Sequence, residues 1–194
     1  MTKREKQIQE SIIEVTTELI KKYGDTNMIT IREIAASAKV GVAMINYHFQ
    51  TKENLINQCI MKMIQSTIEQ MSLYSQNADM PAIDKIRELG KGIATFMVAN
   101  PGFSKISMTN DIISASISDN SAQIIQMLFP LVREIYGDKK TDQELYFMLH
   151  MLVSSIVLGF LRKDVLKQLI NFDFTDTKQR DEFVECSINQ ILHV

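Results

Sequence analysis

Apolar residues recur at three- and four-residue steps through most of this chain, and polar breaks divide the pattern into about nine helices with no convincing strand. From about Lys3 to Tyr23, Ile8, Ile12, Val15 and Leu19 are spaced four, three and four apart, and Gly24 stands where such a helix stops. Residues 29–49, ITIREIAASAKVGVAMINYHF, then predict two short helices joined by a tight turn. Thr30 and Glu33 have capping-box spacing, with Ile29 and Ile34 as a hydrophobic staple around them. Ile31, Ile34, Ala35 and Ala38 give the first short helix one apolar side. Lys39, Val40 and Gly41 form the turn, where the glycine is expected to supply backbone freedom. In the second short helix, from about Val42 to Phe49, Ile45 and Phe49 share the inner face. Ala43, Asn46 and Tyr47 are left outside.

A long helix follows from Lys52 to about Tyr74, carrying Leu55, Ile56, Ile60, Met63, Ile64 and Ile68. A three-helix head of about fifty residues has little core of its own, so it should lean on this helix. After the polar break 75–80, Pro81 suits the first turn of a helix that reaches Ala99 through Ile83, Ile86, Leu89, Ile93, Phe96 and Met97. Asn100, Pro101 and Gly102 stop it. A shorter helix is expected from Phe103 to about Ser116, with Ile106, Met108, Ile112 and Ile113 as its apolar positions. Asp119 to Ser121 offer an N-cap for the next one, which ends at Tyr136 and Gly137 and should be kinked or split by Pro130. Thr141 and Glu144 make a second capping box before a helix to about Lys163, and a last helix to Leu192 presents Val184, Ile188 and Ile191.

Residues 145–161, LYFMLHMLVSSIVLGFL, carry no formal charge but are short for a bilayer and contain His150, Ser154 and Ser155. They are expected to form a buried helix rather than a membrane span. With 45% hydrophobic residues, 7 Gly and 3 Pro in 194 residues, the composition suits a sizeable helical core. The net charge of −2 hides an asymmetry: residues 1–62 hold 9 Lys and Arg against 7 Asp and Glu, while the remainder holds 12 against 16. The small basic excess thus lies with the helical hairpin. Cys59 and Cys186 have no metal-ligand spacing and read as buried small hydrophobes of a reducing cytosol. The first dozen residues hold no apolar run of a secretory signal, so a cytoplasmic protein is expected. No HExxH, GxGxxG, Walker A or GxSxG pattern occurs, which disfavours an enzyme; no catalytic residue, cofactor or metal is expected.

The hairpin has chemistry suited to DNA. Its second helix is slim enough to enter a major groove, where Val42 and Ala43 would meet thymine methyls and Asn46 an adenine edge. Lys52, at the start of the long helix, would clamp a phosphate. The competing reading is a helix-turn-helix that packs or binds another protein, whose association would depend only weakly on salt.

The run Thr30-Ile31-Arg32-Glu33-Ile34-Ala35, then Val40, then Tyr47-His48-Phe49, and Lys52, Glu53 and Leu55 resemble the signature of the TetR (tetracycline-repressor-like) family of transcriptional regulators. The likeness covers roughly residues 8–60. Lys39 departs from it where that family usually has glycine, and Asn46 where it usually has a phosphate-touching tyrosine. The resemblance implies an all-α protein with a DNA-binding head, residues 1–51, and a ligand-binding and dimerisation body, residues 52–194. The expected DNA-contacting set is Thr30, Lys39, Gly41, Val42, Ala43, Asn46, Tyr47, His48 and Lys52. It further implies a homodimer through the last two helices, with two heads about 34 Å apart on a palindromic DNA operator. A small-molecule effector would bind among the middle helices, where Phe96, Met97, Phe103, Met108, Met127, Phe129, Tyr146, Met148, His150 and Met151 are the candidate lining. The resemblance thus implies a ligand-responsive regulator, expected to be a repressor.

Overall fold

A computed structural model describes residues 2–75, 80–114, 116, 117 and 119–193, with the side chains of Lys3, Asn27, 64–75 and Ser114 left out. The described residues form ten α-helices and two short 3₁₀ turns without a strand. They are α1 (Lys3–Tyr23), α2 (Ile31–Ser37), α3 (Val42–Phe49), α4 (Lys52–Ser75), α5 (Ala82–Ala99), α6 (Pro101–Ser114), α7 (Asn120–Tyr136), α8 (Asp142–Leu161), α9 (Lys163–Ile170) and α10 (Thr177–Leu192). Residues 76–79 of the expected polar break, and the side chains of Ile64 and Ile68, lie outside the description.

The chain divides into two compact units, Met1–Ser66 with Asn100–Ser107, and Thr67–Ala99 with Met108–Val194. The head unit contains α1 to α3, the first part of α4 and the start of α6. Its core is Ile12, Ile20, Ile29, Ile34, Ile45, Phe49, Leu55 and Phe103, each at most 2% exposed. At one point two backbones almost touch. A Cβ built on Gly102 would lie 2.7 Å from the Cα and the carbonyl oxygen of Gly24, so the start of α6 packs directly on the turn after α1.

The body unit is built around α5, α7, α8 and α10, whose buried faces share one cluster including Ile86, Leu89, Met97, Leu128, Val132, Leu149, Leu152, Ile156, Val184 and Ile188. Gly90 lets α5 approach α10, since a Cβ there would stand 2.9 Å from Val184. Gly159 does the same under the rings of Phe183 and Phe174. Capping follows the sequence closely at α8, where Thr141 and Glu144 bond reciprocally. At α7, Asp119 accepts from the Ala122 N–H and Asp111 from the Ser121 N–H and hydroxyl. Burial raises the Asp111 carboxyl above its usual pKa, against those bonds from Ser121.

Four expectations need correction. Pro130 does not split α7, which is continuous from Asn120 to Tyr136. Ile112 and Ile113 point outward, 64% and 75% exposed, rather than into a core. An unexpected helix, α9, separates the apolar helix from the last one, so the two helices expected to form the dimer interface are α8 and α10. Finally, α8 is long and apolar enough to cross a membrane by length and composition, but only one side of it is buried in the chain. Tyr146, Phe147, Met151 and Leu158 are 44–59% exposed.

Candidate nucleic-acid interface

The candidate site is the outer face of α3 and the turn that presents it. Ile34 and Ala35 of α2, and Ile45 and Phe49 of α3, are buried, which fixes the two short helices by one apolar seam. The opposite face of α3 is left outside. Ala43 and Asn46 are exposed, Tyr47 is 71% exposed, and Val42 is half-buried. The sequence had not singled out Met44, which stands 37% exposed beside them.

Thr30 caps α2 by accepting the Glu33 N–H at 3.2 Å. The return half of the expected capping box is absent, because the Glu33 carboxylate accepts instead from the Tyr23 hydroxyl of α1 at 2.6 Å. That bond ties α2 to α1, a link that local spacing cannot reveal.

The turn is also built differently from expectation. Gly41 has ordinary extended angles, φ −77° and ψ 149°, and serves as the N-cap of α3 without a side-chain bond. A Cβ added to it would meet nothing within 4 Å. The left-handed residue is Lys39, at φ 55°, so the freedom a glycine would supply is needed two positions earlier.

Lys52 is engaged within the unit. Its ammonium donates to the carbonyls of Thr26 and Ile29 at 3.2 and 3.1 Å, fastening the start of α4 to the turn between α1 and α2. Its reach toward a phosphate is therefore shared with this anchoring. The His48 ring is half-buried between Tyr47 and Phe49, with ring centroids 5.1 and 6.1 Å away, and its Nε2 is buried without a hydrogen-bond partner. His48 thus supports the seat of α3 more than its outer face.

The expected effector lining divides between the two units, and Met97, Met108 and Met148, with Met127 and Phe129 against them, share the body cluster. Phe103 is 1% exposed in the head unit, while the other nine positions lie in the body unit. Tyr146, His150 and Met151 are exposed on α8, with Tyr146 stacked on Phe129 at 4.5 Å. Met108 and Met148 are core, and Phe96 and Met127 are half-buried. Among the described residues of the body, one small apolar cavity of about 20 Å³ is lined by Ile86, Gly90, Ile93, Met97, Ile124, Leu128, Leu152, Val153, Ile156 and Val157. Of the ten expected residues only Met97 lines it. Among the described residues no group of three His, Cys, Asp or Glu could hold a metal.

Residues 12–59 match the sequence model of the family described as bacterial regulatory proteins, tetR family. No curated protein matches the chain. Among solved structures, it is similar to a TetR-like transcriptional regulator from Rhodococcus sp. RHA1, at 14% identity and a TM-score of 0.63 over 93% of both chains. A TetR transcriptional regulator from Legionella pneumophila aligns with a TM-score of 0.60 and 20% identity, over 93% of this chain and 95% of that one. NalD, the secondary repressor of the MexAB-OprM multidrug efflux pump in Pseudomonas aeruginosa, aligns at 16% identity and a TM-score of 0.59 over 97% of both.

Proposed function

We propose that this chain, a TetR-family DNA-binding regulator by its head and its fold, is a ligand-responsive repressor that grips a palindromic operator as a homodimer. The observation that carries the reading is the outer face of α3, left exposed by the seam of Ile45 and Phe49 and sized for a major groove. Asn46 there pairs with an adenine edge, and Ala43 and Val42 meet thymine methyls. Lys39 and Thr30 lie at the turn and at the α2 N-terminus, where backbone phosphates would pass.

Support for a dimer comes from α8. Phe147, Met151 and Leu158 repeat at intervals of four and seven along one face, about half-exposed in the single chain. A second copy covers that stripe, giving the two-fold symmetry a palindrome needs. The effector enters the body at the apolar cavity beside Met97. Its 20 Å³ holds no more than about one water-sized probe, whereas ligand sites span roughly 300–1,000 Å³, so binding has to part the surrounding helices. Both α4 and α6 have residues in each compact unit, and these two helices carry the displacement to the heads.

The test is binding of fluorescent operator DNA to the full chain as salt rises, with and without apolar and amphipathic small molecules. A dimeric reader loses affinity steeply with salt, and its effector lowers operator affinity. A molecule that binds tightly and leaves operator affinity unchanged would sink the release mechanism.

A further inference from the structure

Between Val40 and Thr51 the sequence VGVAMINYHFQT contains no Asp, Glu, Lys or Arg. A guanine is read in the major groove chiefly by an Arg or Lys on its O6 and N7, and a cytosine amino group by an acidic oxygen. From α3, neither pairing is available. What the exposed face offers is of one kind. Ala43 and Tyr47, four apart, lie about half a turn round from the buried pair Ile45 and Phe49. Asn46 flanks them on one side and Met44 on the other, and both are exposed. An Asn amide matches adenine N6 and N7, and apolar side chains match the thymine C5 methyl. The Tyr47 hydroxyl both donates and accepts, so it does not discriminate. The Nε2 of His48 is buried, so that nitrogen does not supply the missing donor from this face.

Resting on the DNA-reading function above, we infer that the base pairs beneath α3 are A·T pairs, read through Asn46 on adenine and through Ala43 and Met44 on thymine methyls. Met44 is then a specificity-determining residue. Because the reading face is uncharged, the salt dependence of binding comes from cations outside it, such as Lys39.

The experiment is selection of duplexes from a random pool by the full chain at low salt, followed by analogue scanning of the winner. Replacing each purine by its 7-deaza form locates the pairs read in the major groove. Replacing each thymine by uracil removes only the methyl. Expected are A·T pairs at the located positions, a loss of roughly fourfold per contacted methyl, and a loss of about five- to 150-fold when the Asn46 pair becomes G·C. Met44→Ala, at an exposed position, should lose roughly fourfold on the selected duplex and erase the thymine-over-uracil preference at one site, leaving the uracil-substituted duplex bound as the natural chain binds it. Located pairs that prove to be G·C would overturn the inference while leaving a DNA reader. So would thymines replaceable by uracil at no cost in both the natural chain and Met44→Ala. Enrichment of no sequence would remove the DNA-reading function itself.

Discussion

Lys39 holds a left-handed backbone, φ 55°, at a position where any residue with a Cβ is strained. Lys39→Gly should therefore raise stability by up to about 1 kcal/mol, allowing for the extra chain entropy of glycine. If the Lys39 ammonium also touches a phosphate, the same change lowers the salt slope of operator binding by about one. Thermal melting and a salt titration of one variant thus separate the two roles. The outward set Ala43, Asn46 and Tyr47 was legible in the sequence, because a 3.6-residue period sorts faces without tertiary knowledge. The division of labour between Lys39 and Gly41 was not, since backbone angles in a turn depend on what the two helices pack against. Nor was the anchoring of Lys52, whose partners Thr26 and Ile29 lie more than twenty residues away. The cysteines differ just as sharply. Cys59 is buried with its thiol against the Ile13 carbonyl, and burial raises its pKa to about 11, while Cys186 is exposed on α10. A thiol-reagent titration at pH 8 should modify one cysteine per folded chain, Cys186, and the second only on denaturation.

Helices are where the sequence spoke most clearly, and their junctions where it spoke least. Periodic apolar runs and the Thr141–Glu144 box identify α1, α5, α8 and α10 because those signals are local. The eight residues of α9 are too few to establish a period, and none is buried. A lysine beyond its centre does help to fix it: Lys167 bonds Asp173 at 2.6 Å, and this bond, with two from Thr175, holds the Asp173 carboxyl well below the usual carboxylate range. A depressed folded-state pKa stabilises above the ordinary Asp value and is lost as pH falls through the lowered one. The connection between α9 and α10 should accordingly loosen only in strong acid, and Lys167→Met should move that loosening to higher pH, as read by hydrogen exchange of residues 163–176. Pro130 lies inside α7 without ending it, and Leu128 and Leu131 on either side of the proline are buried, so packing holds the helix together where the local signal alone would allow a break. The glycines are a third case. Gly90 and Gly159 carry no turn signal, yet each permits a helix crossing. Gly159→Val would drive side-chain atoms into Phe183 and Phe174 and should cost about 1–3 kcal/mol in urea unfolding, while Gly41→Ala, with open space around it, should cost far less.

At the scale of the whole molecule the proposed function turns on how many chains meet on the DNA. An uncharged 17-residue stretch inside α8 is buried along one face by α5, α7 and α10, and its other face shows Phe147, Met151 and Leu158 to water. Contiguous apolar surface of this kind on a helix is characteristic of an interface with a partner, and two-fold pairing of identical faces is its simplest form. In the proposed dimer a charge placed there has no counterpart on the symmetry mate except another like charge. Met151→Asp should thus leave the monomer folded, because the side chain is 52% exposed, while putting two carboxylates into one interface. The expected result is a halved mass in sedimentation at micromolar concentration with an unchanged circular dichroism spectrum. Operator binding should fall by about 10²–10⁴, the gain that linking two half-site readers provides, and binding to an isolated half-site should stay as it was. Retention of full operator affinity by a monomeric Met151→Asp would mean that the chain reads DNA one head at a time, and the palindrome would lose its physical basis.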